Sequence, residues 1–325
     1  MVDVVLEYVR GFEFLDGQVS GSMEVVPLRA PFDGTVEYLT LGEAMGSGLL
    51  EVREVGESGS VPEVLVINRA SLPVLVIDGE ELEGAKQDRI VNATILLREK
   101  NETVIPVSCV EAGRWYRTSE FFEDSGRVAA KSVRFKKVVT VTGSLESSSE
   151  YLSDQRVVWD SVDSLHSIAG SRPDTGAMGE AFKKHEDKLE GFIKPFKVLE
   201  GQNGVLVAIN GEIVGLEFVS RHSSYKVLHD KIIRSYALEA LFEEGSNKLA
   251  DSTIKAFMDE IIGADEIRRK SPGYGFDYRY RSKNCIGSAL VYNGEVIHGL
   301  FFKLEKREMM PSWKDRMIYR LESEL

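Results

Sequence analysis

The chain has 325 residues, of which 43% are hydrophobic and 28% charged, as in an ordinary globular protein of about two domains. Its 40 Lys and Arg against 52 Asp and Glu give a formal net charge of −12. Because nucleic-acid-binding proteins usually present a basic face, we expect no nucleic-acid partner.

Targeting segments are not evident in the sequence. The first residues lack the basic and apolar regions of a signal peptide, and no stretch approaches the roughly eighteen apolar residues of a membrane span. Cys109 and Cys285 form neither a disulfide framework nor a metal-binding spacing, which suits a reducing compartment. We therefore expect a cytoplasmic protein with no membrane partner.

Short strands dominate the sequence from about residue 20 to 145. These segments are rich in Val, Ile and Thr and are separated by clusters of Gly, Pro, Ser and Asn. They are MEVVPL, TVEYLTL, LLEVREV, PEVLVINR, LPVLVIDG, RIVNATILL, ETVIPVSCV and KKVVTVTG. One short helix is predicted at LGEAM, with Thr40 as its cap and Glu43 in the capping-box position. The pattern predicts a β-rich, sandwich or barrel-like domain over residues 1–145.

Helical spacing replaces the strand pattern after the polar stretch GSLESSSE (143–150). About four helices are predicted in EYLSDQRVVWDSVDSLHSIAG, after SRPDTG, in YKVLHDKIIRSYALEALFEE and in NKLADSTIKAFMDEII. Two hairpins with Asn-Gly turns lie among them, VLVAINGEIVGLEF and ALVYNGEVIHGLFF. We therefore predict an α+β fold with a mixed helical and hairpin domain over residues 146–325. Near the C-terminus, Met309, Met310 and Trp313 could cover an apolar surface or a partner.

The stretch VLVIDGEELEG (74–84) follows the scheme of the two hairpins, with Asp78-Gly79 in place of Asn-Gly. Either such hairpins look alike wherever they occur, or the chain contains a remote structural repeat. The two Asn-Gly hairpins stay apolar after their second glycine, whereas Gly84 is followed by AKQDRIVN. Packing alone does not explain the polar residues that enter this strand, namely Gln87, Arg89 and Asn92.

A second polar cluster ends the strand IPVSCVEAGRWYR, with Cys109, Glu111, Arg114 and Trp115. If RIVNATILL and ETVIPVSCV pair as an antiparallel hairpin through REKNE, both clusters reach the same edge of the sheet. Arg89 and Arg114 are then candidate anion ligands, because a guanidinium group suits carboxylate or phosphate. Trp115 could offer its face to a planar group, and Gln87 and Asn92 could donate hydrogen bonds to a ligand.

Catalytic roles can be assigned to Glu80, Cys109 and Glu111, and each has a structural alternative. Cys109 could be a nucleophile, but a lone Cys on an apolar strand is more often a small buried hydrophobe. Glu80 and Glu111 could act as an acid–base pair, or could bind a divalent ion with Asp78. Alternatively, Asp78 and Glu80 are hydrated turn residues, Glu111 pairs with an arginine, and Trp115 is a core residue.

The segments DGEELEGAKQDR (78–89) and IPVSCVEAGRW (105–115), with SDQRVVW and GVLVAINGEIVG more weakly, resemble the ARPP family. This family is named for domains associated with ADP-ribosylglycohydrolase and rhodanese-phosphatase proteins, and the resemblance covers about residues 20–240. The resemblance implies no established reaction, but the association suggests a nucleotide-derived ligand. The chain departs from the family pattern at Asp88, where an amide would be expected.

Two hypotheses follow from the sequence. In the first, the site residues bind a small anionic molecule, such as a nucleotide or an ADP-ribose derivative, and the chain either only binds this molecule or also hydrolyses it. In the second, the chain is a non-enzymatic interaction or scaffold module, and the polar motifs form a buried hydrogen-bonded ladder. The sequence specifies no cofactor, metal or oligomeric state.

Overall fold

The computed structural model describes residues 3–56 and 59–304. The fold is α+β and rich in strands, as the sequence predicts. Its strands, in chain order, are β1 (Glu13–Phe14), β2 (Gln18–Ser20), β3 (Met23–Arg29), β4 (Leu39–Thr40), β5 (Leu50–Glu54), β6 (Glu63–Asn68), β7 (Val74–Val76), β8 (Glu80–Gly84), β9 (Arg89–Val91), β10 (Ile95–Leu97), β11 (Asn101–Cys109), β12 (Phe122–Val128), β13 (Gly204–Ile209), β14 (Glu212–Val219), β15 (Asp265–Lys270), β16 (Phe276–Arg281), β17 (Cys285–Tyr292) and β18 (Glu295–Lys303). Its helices are α1 (Val4–Arg10), α2 (Leu41–Gly46), α3 (Lys131–Ser147), α4 (Gln155–Ala169), α5 (Gly179–Lys184), α6 (Glu186–Ile193), α7 (His222–Ala240) and α8 (Asp251–Ile262).

Six strands of the first half close into a barrel in the order β11-β6-β5-β12-β8-β9. Alternate residues of these strands share one apolar cluster, because successive side chains of a strand point to opposite faces. All six strands contribute to this interior, through Val52, Val66, Leu82, Val91, Val107 and Phe122. The barrel confirms the predicted β-rich architecture of this part of the chain.

A second, antiparallel sheet follows the order β1-β3-β13-β14-β18-β17-β16-β15, with β2 paired to β3. Both predicted Asn-Gly hairpins lie in it, and Asn210 and Asn293 adopt positive φ angles of 51° and 53°. Each hairpin also shifts register two to three residues before its Asn, at Val207/Ala208 and Leu290/Val291. The first strands of the chain thus pair with strands of the second half, and the predicted division at residues 145 and 146 stays a prediction.

Two local predictions are wrong. KKVVTVTG is not a strand but lies within α3, where Arg134, Val138, Val141 and Leu145 are buried at helical spacing. Packing of this helical face overrides the β preference of Val and Thr. VLVIDGEELEG is not a hairpin, because β7 pairs with β10 and β4, while β8 pairs with β12 and β9.

The predicted capping box of α2 is confirmed. Thr40 and Glu43 form the capping box of α2, and Gly170 ends α4 in the left-handed conformation. The segment after SRPDTG forms two helices, α5 and α6, instead of one. Among the described residues, no helix is both long enough and apolar enough to cross a membrane. Met309, Met310 and Trp313 lie outside the described residues.

Candidate functional site

The two polar clusters meet at one end of the barrel because β9 and β11 are antiparallel. Arg89 lies opposite Cys109 in the register of this pair. Beyond the strand ends, Gln87 Nε2 donates to the carbonyl of Glu111 at 2.8 Å, and the amide of Asp88 donates to Glu111 Oε2 at 3.1 Å. The predicted pairing is therefore present only between Arg89–Val91 and the end of β11, because β10 pairs with β7 and the first part of β11 pairs with β6. This partial pairing is enough to place Gln87, Arg89 and Glu111 close together.

Arg114 joins the β8–β9 turn to the segment that follows β11. Its Nε donates to both carboxylate oxygens of Glu111 at 2.8 Å. Its Nη1 donates to the Ala85 carbonyl and the Thr118 hydroxyl, both at 2.9 Å. Its Nη2 lies 2.6 Å from Glu111 Oε2 and 3.0 Å from Asp88 Oδ1. Protein acceptors therefore use all the nitrogens of this guanidinium, and it holds two carboxyl groups side by side.

An open groove of about 560 Å³ lies beside this carboxyl pair. The helix α5 and the turn that precedes it close its far side, where the Gly113 amide donates to the Thr175 carbonyl at 2.7 Å. Six carboxyl groups and two cations line the groove, so its walls are acidic. The lining residues are Glu83, Gly84, Asp88, Glu111, Arg114, Thr118, Ser119, Glu123, Pro173, Asp174, Thr175, Ala177, Glu180 and Lys183.

The two carboxyl groups on Arg114 differ in their pKa. Burial raises the pKa of Asp88 to about 7, and the nearby charge of Glu111 adds to this effect, against the hydrogen bond from the Gly84 amide. Burial also disfavours ionised Glu111, but hydrogen bonds from Arg114 and Thr175 outweigh it and hold the pKa of Glu111 below its usual value. Near neutral pH, one carboxyl of the pair is therefore partly protonated while the other is ionised.

Arg89 points into the barrel, on the strand face that carries Val91 and opposite Leu82. It is fully buried, and its Nη1 donates to Gln87 Oε1 at 3.0 Å. Its Nε and Nη2 have no hydrogen-bond partner, and no described carboxylate forms an ion pair with it. The ring of Trp115, which is 48% exposed, lies 5.8 Å from the guanidinium carbon. Arg89 is thus a buried cation without a counter-charge among the described residues.

Cys109 is buried at the end of β11, and Gln155 of α4 bonds to both its backbone amide and its carbonyl, at 2.8 and 2.7 Å. Its Sγ contacts the Glu111 carbonyl at 3.3 Å. Burial raises the pKa of this thiol, which disfavours the thiolate that a nucleophile needs. None of the hydrogen bonds of Cys109 in the described chain involves a histidine.

Glu80 and Asn92 lie away from the groove. Glu80 is fully buried, accepts from the Ile77 amide at 2.9 Å and pairs with Lys231 of α7 at 3.0 Å. Asn92 donates to the Tyr151 carbonyl at 2.9 Å and accepts from Ser108. Both side chains connect the barrel to neighbouring segments.

A metal site is not evident at the predicted carboxylates. Asp78 lies 2.7 Å from Lys137 Nζ and 3.4 Å from Arg134 Nε, so protein cations neutralise it. Among the described residues, no three His, Cys, Asp or Glu side chains are arranged to hold a metal ion.

Sequence reasoning missed the far wall of the groove. Asp174, Thr175, Glu180 and Lys183 come from the second half of the chain, after the turn-forming segment SRPDTG. The turn-forming residues of SRPDTG predict a loop between two helices. Nothing in their sequence indicates that this loop packs against the end of β11. Asp88, whose carboxyl lines the groove, was noted only as a departure from a family pattern.

The fold and groove define an α+β protein with a six-stranded barrel that carries a paired-carboxyl site at one end. More particularly, the chain belongs to the family described as the ARG and Rhodanese-Phosphatase-superfamily-associated Protein domain (ARPP-1), which matches residues 11–302. The resemblance seen in the sequence is thus confirmed. No curated protein and no solved structure gives a significant match.

Proposed function

We propose that the chain binds a small hydroxyl-bearing molecule in the acidic groove and that Asp88 exchanges a proton with it. The observation that carries this proposal is the pair of carboxyls on one Arg114 nitrogen, with Asp88 Oδ1 at 3.0 Å and Glu111 Oε2 at 2.6 Å. Two neighbouring carboxyls with separated pKa values are the usual arrangement of an acid and its stabilising anion. Both hydrogen bonds to the Asp88 carboxyl from described residues end on Oδ1, which leaves Oδ2 for a ligand.

Hydrolysis of a bond to a sugar carbon is the reaction that suits this pair. Asp88 would give its proton to the departing oxygen, water would form the new carbon–oxygen bond, and the water's proton would return to Asp88. Ionised Glu111, whose oxygens are bound by Arg114 and the Asp88 amide, would hold the pair in place and favour positive charge on the sugar. The family description, which names an association with ARG proteins, agrees with a ribosyl substrate.

We place the anionic part of such a ligand at Arg89, because the walls of the groove are acidic. Burying a guanidinium without a counter-ion costs several kcal/mol, and a bound phosphate or carboxylate would offset that cost. The unused Nε and Nη2 form one edge of the guanidinium, which suits two oxygens of an anion. Gln87 connects this position to the groove, since it bonds to both Arg89 and the Glu111 carbonyl.

Thermal-shift titrations with ADP-ribose, ribose 5-phosphate and ribose test this proposal, because a ligand of the native state raises Tm with its concentration. We expect the two phosphorylated probes to stabilise the wild type and a Glu102→Gln control, whose side chain is exposed on β11. With ADP-ribose, whose linked phosphates do not titrate in this range, Asp88→Asn should remove the change in affinity between about pH 6 and 8, since that change reflects the Asp88 carboxyl. Arg89→Met should remove the preference for phosphorylated probes. No saturable shift with any probe, or an Asp88→Asn variant identical to wild type at every pH, would contradict the proposal.

A structural role is the second candidate, and the completely used guanidinium of Arg114 favours it. If the polar motifs only fix the β8–β9 turn against the segment after β11, Arg114→Lys should lower Tm strongly. The wild-type protein should then bind none of the probes. Arg114→Lys keeps the positive charge but removes the planar guanidinium, so it tests the hydrogen bonds by which Arg114 joins the β8–β9 turn to the segment after β11. We place either role in a reducing compartment such as the cytoplasm, because Cys109 and Cys285 are buried free thiols.

A further inference from the structure

A separate cavity of about 440 Å³ lies at the edge of the nine-stranded sheet. It is bounded by the second half of α3, the α8–β15 turn and the β16–β17 turn, and none of its lining residues lines the acidic groove. Those residues are Thr142, Glu146, Gly263, Asp265, Glu266, Ile267, Arg279, Arg281, Ser282 and Lys283. The volume exceeds that of a single phosphate group, so the cavity could enclose an organic molecule.

Arg279 is the distinctive residue of this cavity. It is 1% exposed, and of the charged side chains that line the cavity it alone is buried. Its Nε donates to Asp277 Oδ2 at 2.7 Å, but its Nη1 and Nη2 have no hydrogen-bond partner. The Thr142 hydroxyl, which also lines the cavity, is buried and without a partner as well. Buried donors are nearly always hydrogen-bonded, so three unused donor groups at one cavity indicate a missing acceptor.

We propose that this cavity binds a small organic oxyanion through Arg279 and Thr142. The oxyanion is a carboxylate or a phosphate monoester, and its oxygens accept from Nη1 and Nη2 of Arg279 and from the Thr142 hydroxyl. Asp277 already occupies the Nε edge of the guanidinium, so the ligand takes the opposite end. Ile267 and the Cα of Gly263 offer apolar surface to the rest of the molecule.

The charges around the cavity balance one another. Three carboxyl groups and three cations line it, and Arg281 pairs with Glu146 at 3.2 Å. Behind Arg279, burial raises the pKa of the Asp277 carboxyl, and the attraction of Arg279 opposes this effect. Lys137 is a further buried cation near Arg279. Asp277 and Asp78 are the acidic groups that act on Arg279, and Asp78 also pairs with Lys137 at 2.7 Å. The unused donors of Arg279 and Thr142, and not an excess of positive charge, are therefore what would hold the oxyanion.

Isothermal titration of the full chain with inorganic phosphate and with benzoate, at matched ionic strength, tests this site. We expect saturable binding of at least one probe at concentrations below about 10 mM. Binding of phosphate alone assigns a phosphate ligand, and binding of benzoate alone assigns a carboxylate ligand. Thr142→Val keeps the shape of the side chain and removes only the hydroxyl, so it should weaken binding roughly tenfold. Arg279→Lys should abolish binding, because an ammonium cannot present two parallel N–H groups.

Arg268→Lys is the matched control, because Arg268 is exposed on the adjacent strand β15 and does not line the cavity. This variant should bind the probes as the wild type does. Absence of saturable binding, or equal binding by wild type, Thr142→Val and Arg268→Lys, overturns the proposal. Thr142→Val keeps the test valid even if Arg279→Lys fails to fold. A failure here leaves the acidic-groove proposal untouched, since the two sites share no residue.

Discussion

At the scale of single residues, Asp88 and Arg89 are neighbours in the chain with opposite environments. Alternation along the strand sends Asp88 toward the groove and Arg89 toward the barrel interior. The sequence was sufficient to single out this segment, because polar residues interrupt an apolar run there. The sequence could not assign the role of each residue, because the hydrogen bonds of Arg114 form only when the segment after β11 folds back onto Ala85.

The protonation of Asp88 makes the stability of the protein depend on pH. Its pKa rises from 3.8 in the unfolded chain to about 7 in the folded protein, so the native state binds this proton more tightly. The contribution of protonated Asp88 to the free energy of unfolding is therefore complete below about pH 4, and it is lost as the pH rises through 7. Asp88→Asn, which mimics the protonated carboxyl, should therefore match wild type at pH 4 and exceed its free energy of unfolding at pH 8, by on the order of 2–4 kcal/mol.

Urea unfolding at several pH values measures this difference between Asp88→Asn and wild type. Glu102→Gln, an exposed change on the same barrel, should show no such pH-dependent difference. A constant difference between Asp88→Asn and wild type from pH 4 to 8 would show that Asp88 titrates as an ordinary surface carboxyl.

At the scale of elements, local chemistry explains which predictions succeeded. The Asn-Gly turns and the α2 capping box depend on a few adjacent residues, and both are present as predicted. The Asp78-Gly79 turn has the same local chemistry, but the strands on either side of it pair with distant partners. The helix α3 was misread because its Val and Thr residues favour strands, and only its packing against α4 and α7 decides otherwise.

Two glycines provide a matched test of these elements. A Cβ added at Gly143 in α3 or at Gly294 in the β17–β18 turn would meet no atom within 4 Å, so only the backbone conformation differs between them. Gly143→Ala should stabilise the protein by roughly 0.5–1 kcal/mol, because Ala favours a helix. Gly294→Ala should destabilise it by roughly 1 kcal/mol, because Gly294 has a φ of 77°. Urea unfolding measures both, and a destabilising Gly143→Ala would contradict a helix at this position.

At the scale of the whole molecule, a buried ion-pair network joins the barrel, α3 and the nine-stranded sheet. Arg134 of α3 bonds to both oxygens of Glu217 on β14, at 2.7 and 2.5 Å, and lies beside Asp78 near the barrel. His298 of β18 bonds to Glu217 at 3.0 Å and to Thr94 at 2.8 Å. The only sequence signal was a single polar residue within each apolar strand, in GLEFV and VIHGLFF. Their partners lie far away in the chain, so the network could not be predicted.

Arg134→Met should destabilise the protein by about 3–5 kcal/mol, because it leaves Glu217 ionised and buried without its main cation. The same substitution at Arg69, a half-exposed side chain that pairs with Glu51 at 2.9 Å, should cost less than about 1 kcal/mol. In the wild type, burial opposes ionisation of Glu217, but Arg134 and His298 outweigh it and hold its pKa at about 2. Stability from this group is therefore present above about pH 4.5 and lost as the pH falls toward 2.

The loss of stability in acid should begin at higher pH in Arg134→Met, since the pKa of Glu217 rises once its partner is removed. Adding Glu217→Gln to Arg134→Met removes the unpaired charge and should restore part of the lost stability, which a double-mutant cycle measures. If Arg134→Met lowers the free energy of unfolding no more than Arg69→Met does, the ion-pair network does not hold the barrel, α3 and the nine-stranded sheet together. In that case apolar packing between α3 and the two sheets must supply their cohesion.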